Sequence, residues 1–102
     1  MPDCIFCKIV AGEIPSEKVF EDGTLLGFLS IDPKGPRHTL LIPKAHHRWF
    51  WELPDELSDE LFRTAKQLAK QLKEETGRDY VRLSIVGEEV PHVHVHLVPE
   101  NL

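Results

Sequence analysis

The clearest pattern in the chain is the strict alternation His92-Val93-His94-Val95-His96-Leu97. Side chains along an extended strand point to opposite faces in turn. The pattern therefore predicts a strand with His92, His94 and His96 on one face, about 6.7 Å apart, and Val93, Val95 and Leu97 on the other. The apolar face suits a core. Three imidazoles cannot be satisfied by apolar neighbours and must look into a cleft, a metal or a ligand. Four further strands follow from similar reasoning. Lys18 to Glu21 and Thr24 to Ile31 flank Asp22-Gly23, a hairpin signal. His38 to Ile42 is apolar through much of its length and is stopped by Pro43. In the fourth, Tyr80, Arg82 and Ser84 alternate with Val81, Leu83 and Ile85.

After Pro54 the period turns helical. Leu57, Leu61, Phe62, Ala65, Leu68, Ala69 and Leu72 recur on one face, Lys66, Lys70, Lys73, Glu74 and Glu75 fall mostly elsewhere, and Gly77 offers a stop. A shorter helix is predicted from Cys4 to Gly12, with Ile5, Phe6, Ile9 and Val10 as its apolar side. Asp32 to Pro36 and Gly87 to Pro91 read as loops. The run Arg48-Trp49-Phe50-Trp51-Glu52-Leu53 predicts a helical turn whose aromatics cover one end of the core; a substrate rim or a contact with a second subunit is the alternative. The sum is a single α+β domain over residues 1–102, an antiparallel five-stranded sheet with one long and one short N-terminal helix.

Composition narrows the function. A chain of 102 residues with 41% hydrophobic positions builds a modest core and gains from a metal or a partner subunit. Its net charge of −5 argues against a nucleic-acid partner, though not against a small phosphate ester. No apolar run is long enough for a transmembrane helix, so no membrane partner is expected. Met1 to Cys4 lacks the basic and apolar regions of a signal peptide, and the expected compartment is the cytoplasm. In that compartment Cys4 and Cys7 read as metal ligands or a redox pair rather than a disulfide. Imidazole, with a pKa near ~6.5, serves equally as nucleophile, base, acid or zinc ligand. At this level two readings of the histidine row stay open. It is a metal site, or one histidine attacks while its neighbours orient it and hold the anion.

Three segments carry a resemblance. Cys4-Ile5-Phe6-Cys7-Lys8-Ile9 with Gly12-Glu13-Ile14-Pro15, then His38-Thr39-Leu40-Leu41-Ile42-Pro43-Lys44-Ala45-His46, then Val90-Pro91-His92-Val93-His94-Val95-His96-Leu97-Val98 resemble, in order, motifs of the histidine-triad (HIT) nucleotide-binding proteins, Hint branch. The resemblance implies a HIT-like fold, a homodimer, and a nucleotide, expected to be a purine, as small-molecule partner. The implied activity is hydrolysis or transfer at the α-phosphate of nucleoside 5′-phosphoramidates, acyl-adenylates or related nucleotides. His94 would be the nucleophile, His96 would hold phosphate oxygens, and His38 would orient the cluster. Cys4, Cys7, His46 and His92 match a structural zinc site. Ile5, Phe6, Ile9, Phe28, Ser30, Ile31, Glu89 and Val90, together with His96, match nucleotide-binding positions. The alternatives are a non-catalytic nucleotide- and zinc-binding module, a dinucleoside polyphosphate hydrolase, and, far behind, a redox protein.

The chain departs from that pattern in places. Ser30 stands where Hint proteins usually carry a carboxylate for the ribose hydroxyls, and serine makes fewer hydrogen bonds without charge. Gly87-Glu88-Glu89-Val90 stands where relatives commonly carry Gly-Gln-Ser-Val, so two carboxylates face a phosphate they should repel. Glu89 is then either a proton donor to the leaving group or a solvated loop residue. The sequence ends at Leu102, soon after the histidine strand, and a C-terminal segment that shapes specificity in longer relatives is expected to be missing.

Overall fold

A short helix, α1 (Ile5–Val10), follows Cys4, whose Sγ accepts the Cys7 N–H at 3.3 Å and so caps the first turn. Gly12, at φ +81°, takes the left-handed position just past its end. The protein is described here by a computed structural model covering residues 4–102; Met1 to Asp3, and the leader expectation placed on them, lie outside the described residues. Strands β1 (Lys18–Glu21) and β2 (Leu25–Leu29) form the expected hairpin. The Asp22 carboxylate closes its turn by accepting the N–H groups of Thr24 and Leu25 at 2.9 and 2.8 Å. Strand β3 (Thr39–Pro43), a single 3-10 turn (Phe50–Glu52), the long helix α2 (Asp55–Thr76), and strands β4 (Tyr80–Ile85) and β5 (Val95–Glu100) complete the chain. Asp55 and Glu56 favour the positive end of α2, and Gly77 at φ +69° ends it.

All strand pairs are antiparallel, in the order β1-β2-β3-β5-β4. Alternation divides the sheet into two unlike faces. Leu25, Leu41, Val95 and Leu97 join Leu53, Leu61, Ala65, Leu68 and Leu72 in an apolar core under α2. Leu26, Phe28, Leu40 and Ile42 face the other way and pack with Phe6 and Ile9 of α1 and with Cys4. Register places Phe28 opposite Leu40, Leu40 opposite His96, and His96 opposite Ser84. One row thus runs across four strands on the α1 side.

Two expectations are corrected. The last strand starts at Val95, not His92. His92 N–H turns back to Val90 O at 2.8 Å, and Val93 N–H goes to His47 O at 2.6 Å, so a loop rather than β3 takes those backbone donors. The backbone still alternates: Val93 joins the α2 core, and His92 and His94 stay buried on the other side. The aromatic run does not cap the core either. Leu53 does so, while Trp49 and Trp51 stack on each other at 5.2 Å, Arg48 lies over Trp49, and Trp51 is 66% exposed. Among the described residues, no helix is long and apolar enough to cross a membrane.

Candidate active site

The fold brings five of the six histidines into one continuous cluster beneath α1. Phe6 is the cover: its ring meets those of His92 and His94 edge-on at 6.0 and 5.0 Å, and Phe28 at 5.7 Å. Hydrogen bonds to backbone groups assign the protons, because a carbonyl can only accept and an amide can only donate. His92 donates from Nε2 to Pro43 O at 2.8 Å, which leaves the Nδ1 lone pair facing the thiols. His94 does the reverse. It donates from Nδ1 to His92 O at 2.7 Å, and its Nε2 lone pair has no partner among the described residues. His38 Nδ1 accepts the Lys34 N–H at 3.1 Å, so the neutral ring donates from Nε2 to His96 Nδ1 at 3.0 Å. His96 is then left with an Nε2–H donor.

Electrostatics keep His38 and His96 neutral. Burial first, then the nearby Lys34 charge, lowers the pKa of His38. Burial and the neighbouring His94 and His38 push His96 down to about 4. At neutral pH His96 therefore acts as a hydrogen-bond donor and not as a cation. Paired with the lone pair on His94, it can hold an oxygen of the phosphoryl group that His94 attacks.

These groups open into a cavity of about 720 Å³. Ile5, Phe6, Ile9, Phe28, Ser30, Ile31, Glu89 and Val90 all line it, together with His38, His94 and His96. Ile31 reaches only the rim and is 98% exposed. Ser30 uses its hydroxyl to accept the Asp32 N–H at 3.2 Å. The residues that sequence reasoning missed are main-chain groups, Lys34 N–H, Pro43 O and His92 O, which no side-chain pattern reveals. It also missed Arg82, Ser84 and Glu100 on the cavity wall, whose place depends on the pairing of β4 with β5.

At the far end of the row Cys4, Cys7, His46 and His92 present donor atoms all within 4.8 Å of one another. Cys4 Sγ lies 3.2 Å from His92 Nδ1, Cys7 Sγ 3.2 Å from His46 Nδ1 and 3.5 Å from His92 Nδ1. Donors about 2.0–2.3 Å from a tetrahedral zinc sit about 3.3–3.8 Å apart, so the set fits zinc. The Pro43 carbonyl on His92 Nε2 is the kind of outer partner that fixes a metal-binding tautomer. Burial and the adjoining Cys4 push the Cys7 thiol up to about 11, so without a cation this corner holds a protonated thiol.

The model of the HIT domain family matches residues 11–101. The chain belongs to the HIT family. Among HIT relatives, adenosine 5′-monophosphoramidase HNT1 of Saccharomyces cerevisiae is 42% identical over 99 residues, covering 96% of this chain and 63% of that protein. The crystal structure of a Streptococcus mutans protein superposes with a TM-score of 0.92 at 43% identity, covering 99% of this chain and 68% of that one. A zinc-bound histidine triad protein from Mycobacterium smegmatis superposes with a TM-score of 0.90 at 31% identity, covering 98% and 76%.

Proposed function

We propose that this HIT protein is a nucleotide hydrolase that cleaves nucleoside 5′-phosphoramidates at the α-phosphorus through a nucleotidyl-His94 intermediate. The observation that carries the reading is the Nδ1–H donation from His94 to the His92 carbonyl, which commits the Nε2 lone pair to the cavity. In the first displacement that lone pair forms an N–P bond as the P–N bond to the amine breaks. The amine nitrogen keeps the bonding electrons and takes a proton from water. The charge that develops on the His94 ring is held by the same carbonyl. His96 Nε2–H supports the phosphoryl oxygens. In the second displacement the remaining hydroxide forms a P–O bond and His94 leaves with the N–P electrons, giving a nucleoside monophosphate. The yeast relative's named activity, on adenosine 5′-monophosphoramidate, supports this substrate class.

Phe6, Ile9 and Phe28 would hold the base, expected to be a purine. Cys4, Cys7, His46 and His92 would hold one structural zinc, which when bound ionises the thiols and ties the start of α1 to the histidine segment. The homodimer finds support in the open edge of β4, where Leu83 and the following Val86 are exposed. The test of the activity is a turnover panel of adenosine and guanosine phosphoramidates, acyl-adenylates, and dinucleoside tri- and tetraphosphates. Turnover of phosphoramidates above the others is expected. Nucleotide binding without turnover of any member would establish a non-catalytic module instead.

A further inference from the structure

The row Phe28–Leu40–His96–Ser84 gives the cavity a direction. Strands lie about 4.8 Å apart, so Phe28 and Ser84 stand about 14 Å from each other with His96 between them. Phe28 marks the apolar end, under Phe6 and Ile9. If the base lies there and the phosphorus lies between His94 and His96, the leaving group departs along the β4 side. That side is lined by Ser84, Arg82, Glu100, Glu88 and Glu89.

The charges on the β4 side are unequal. Arg82 is paired with Glu100. Its Nε lies 3.0 and 3.1 Å from the two Glu100 carboxylate oxygens, its Nη2 lies 2.8 Å from one of them, and Nη2 also donates to Tyr80, whose hydroxyl donates to Glu100. Neither Glu88 nor Glu89 has an ion-pair partner among the described residues. Their loop is anchored. Arg48 donates from Nε to Gly87 O at 3.3 Å, and a Cβ at Gly87 would meet Arg48 O at 3.1 Å and the Trp49 ring at 3.2 Å. Glu88 and Glu89, exposed on this anchored loop, thus line the same cavity as buried His94, whose Nε2 has no hydrogen-bond partner among the described residues. The phosphoryl group meets the neutral His96 donor at its own position, and the group leaving it meets two carboxylates that have no ion-pair partner among the described residues.

We propose that the β4 side of the cavity is a leaving-group subsite for amines carrying a second, cationic nitrogen, with Glu88 and Glu89 as its specificity-determining residues. The proposal rests on the reading of His94 as nucleophile toward phosphoramidates. It also disfavours polyphosphate leaving groups, which would meet the same two carboxylates. Two carboxylates about 6 Å from a charge, acting through water, change kcat/KM about tenfold.

The experiment compares kcat/KM for three adenosine 5′-phosphoramidates, of butane-1,4-diamine, pentylamine and 5-aminopentanoate. The wild type should prefer the cationic over the neutral amine about tenfold and the neutral over the anionic by a similar factor. In the E88Q/E89Q double variant the whole spread should collapse to about threefold or less. Raising NaCl should shrink the spread in the wild type and hardly alter it in the variant, a response that a structural role of the loop would not produce. An equal spread in wild type and variant, or an anionic amine turned over as well as the neutral one, would overturn the subsite. Failure to turn over any of the three would overturn the phosphoramidate reading, and the subsite with it.

Discussion

His92 and His94 are the same residue, two positions apart, buried on the same side of the backbone, and the fold gives them opposite tasks. At His92 a carbonyl takes the Nε2 proton, and the ring turns Nδ1 toward two thiols and His46. At His94 a carbonyl takes the Nδ1 proton, and the ring turns Nε2 toward the cavity. The assignment is made by backbone oxygens, Pro43 O for one and His92 O for the other. The two ends of the row are also joined, because the residue whose ring faces the thiols lends its carbonyl to the nucleophile. The difference teaches that a histidine's chemistry in this protein is set by which nitrogen is already occupied.

Breaking each end should give different signatures. The largest effect is expected from His94→Ala. It should lower kcat by roughly 10⁴-fold or more while leaving zinc content and Tm near those of the wild type, measured by turnover, metal analysis and calorimetry. Cys4→Ala should do the reverse in kind, with zinc lost and stability lowered by about 3 kcal/mol, equivalent to roughly 15 °C in Tm. A chelator should move the wild type toward that Tm and leave the variant where it is. His38→Ala removes the ring that sets the His96 tautomer and should cost about 10²-fold in kcat with little change in metal content.

The smallest effect is on the pH dependence of stability. His38 and His96 are neutral in the fold with lowered pKa values, His96 near 4, so between about pH 6.5 and 4 the unfolded chain binds more protons than the folded one. Their contribution is present above pH 6.5 and is lost as the pH falls through that window. Urea midpoints should decline over this range, and less steeply in His96→Asn. An unchanged slope in that variant would remove His96 from the account.

The fold was largely legible because its elements follow clean periods: Leu61, Ala65, Leu68 and Leu72 on one helical face, Val93, Val95 and Leu97 on one side of the histidine segment. Strand ends were less so, since the start of β5 depends on His47 O, 46 residues away, taking the Val93 N–H. The aromatic run misled because hydrophobicity argues for burial, whereas a three-residue 3-10 turn gives Trp49 and Trp51 each other's faces instead. The residues that converge on the cavity and the thiol corner were named from the motifs. Their tautomers were not, because those rest on carbonyls and amides that every residue possesses. The β4 wall was illegible for another reason: Ser84 meets the cavity only through its register with His96.

The most direct measurement is the stereochemical course at phosphorus, followed with an adenosine phosphorothioamidate of known configuration hydrolysed in isotopically labelled water. Two successive in-line displacements, first by His94 and then by water, predict net retention. Inversion would mean that water attacks the substrate directly, and the nucleotidyl-His94 intermediate would be excluded.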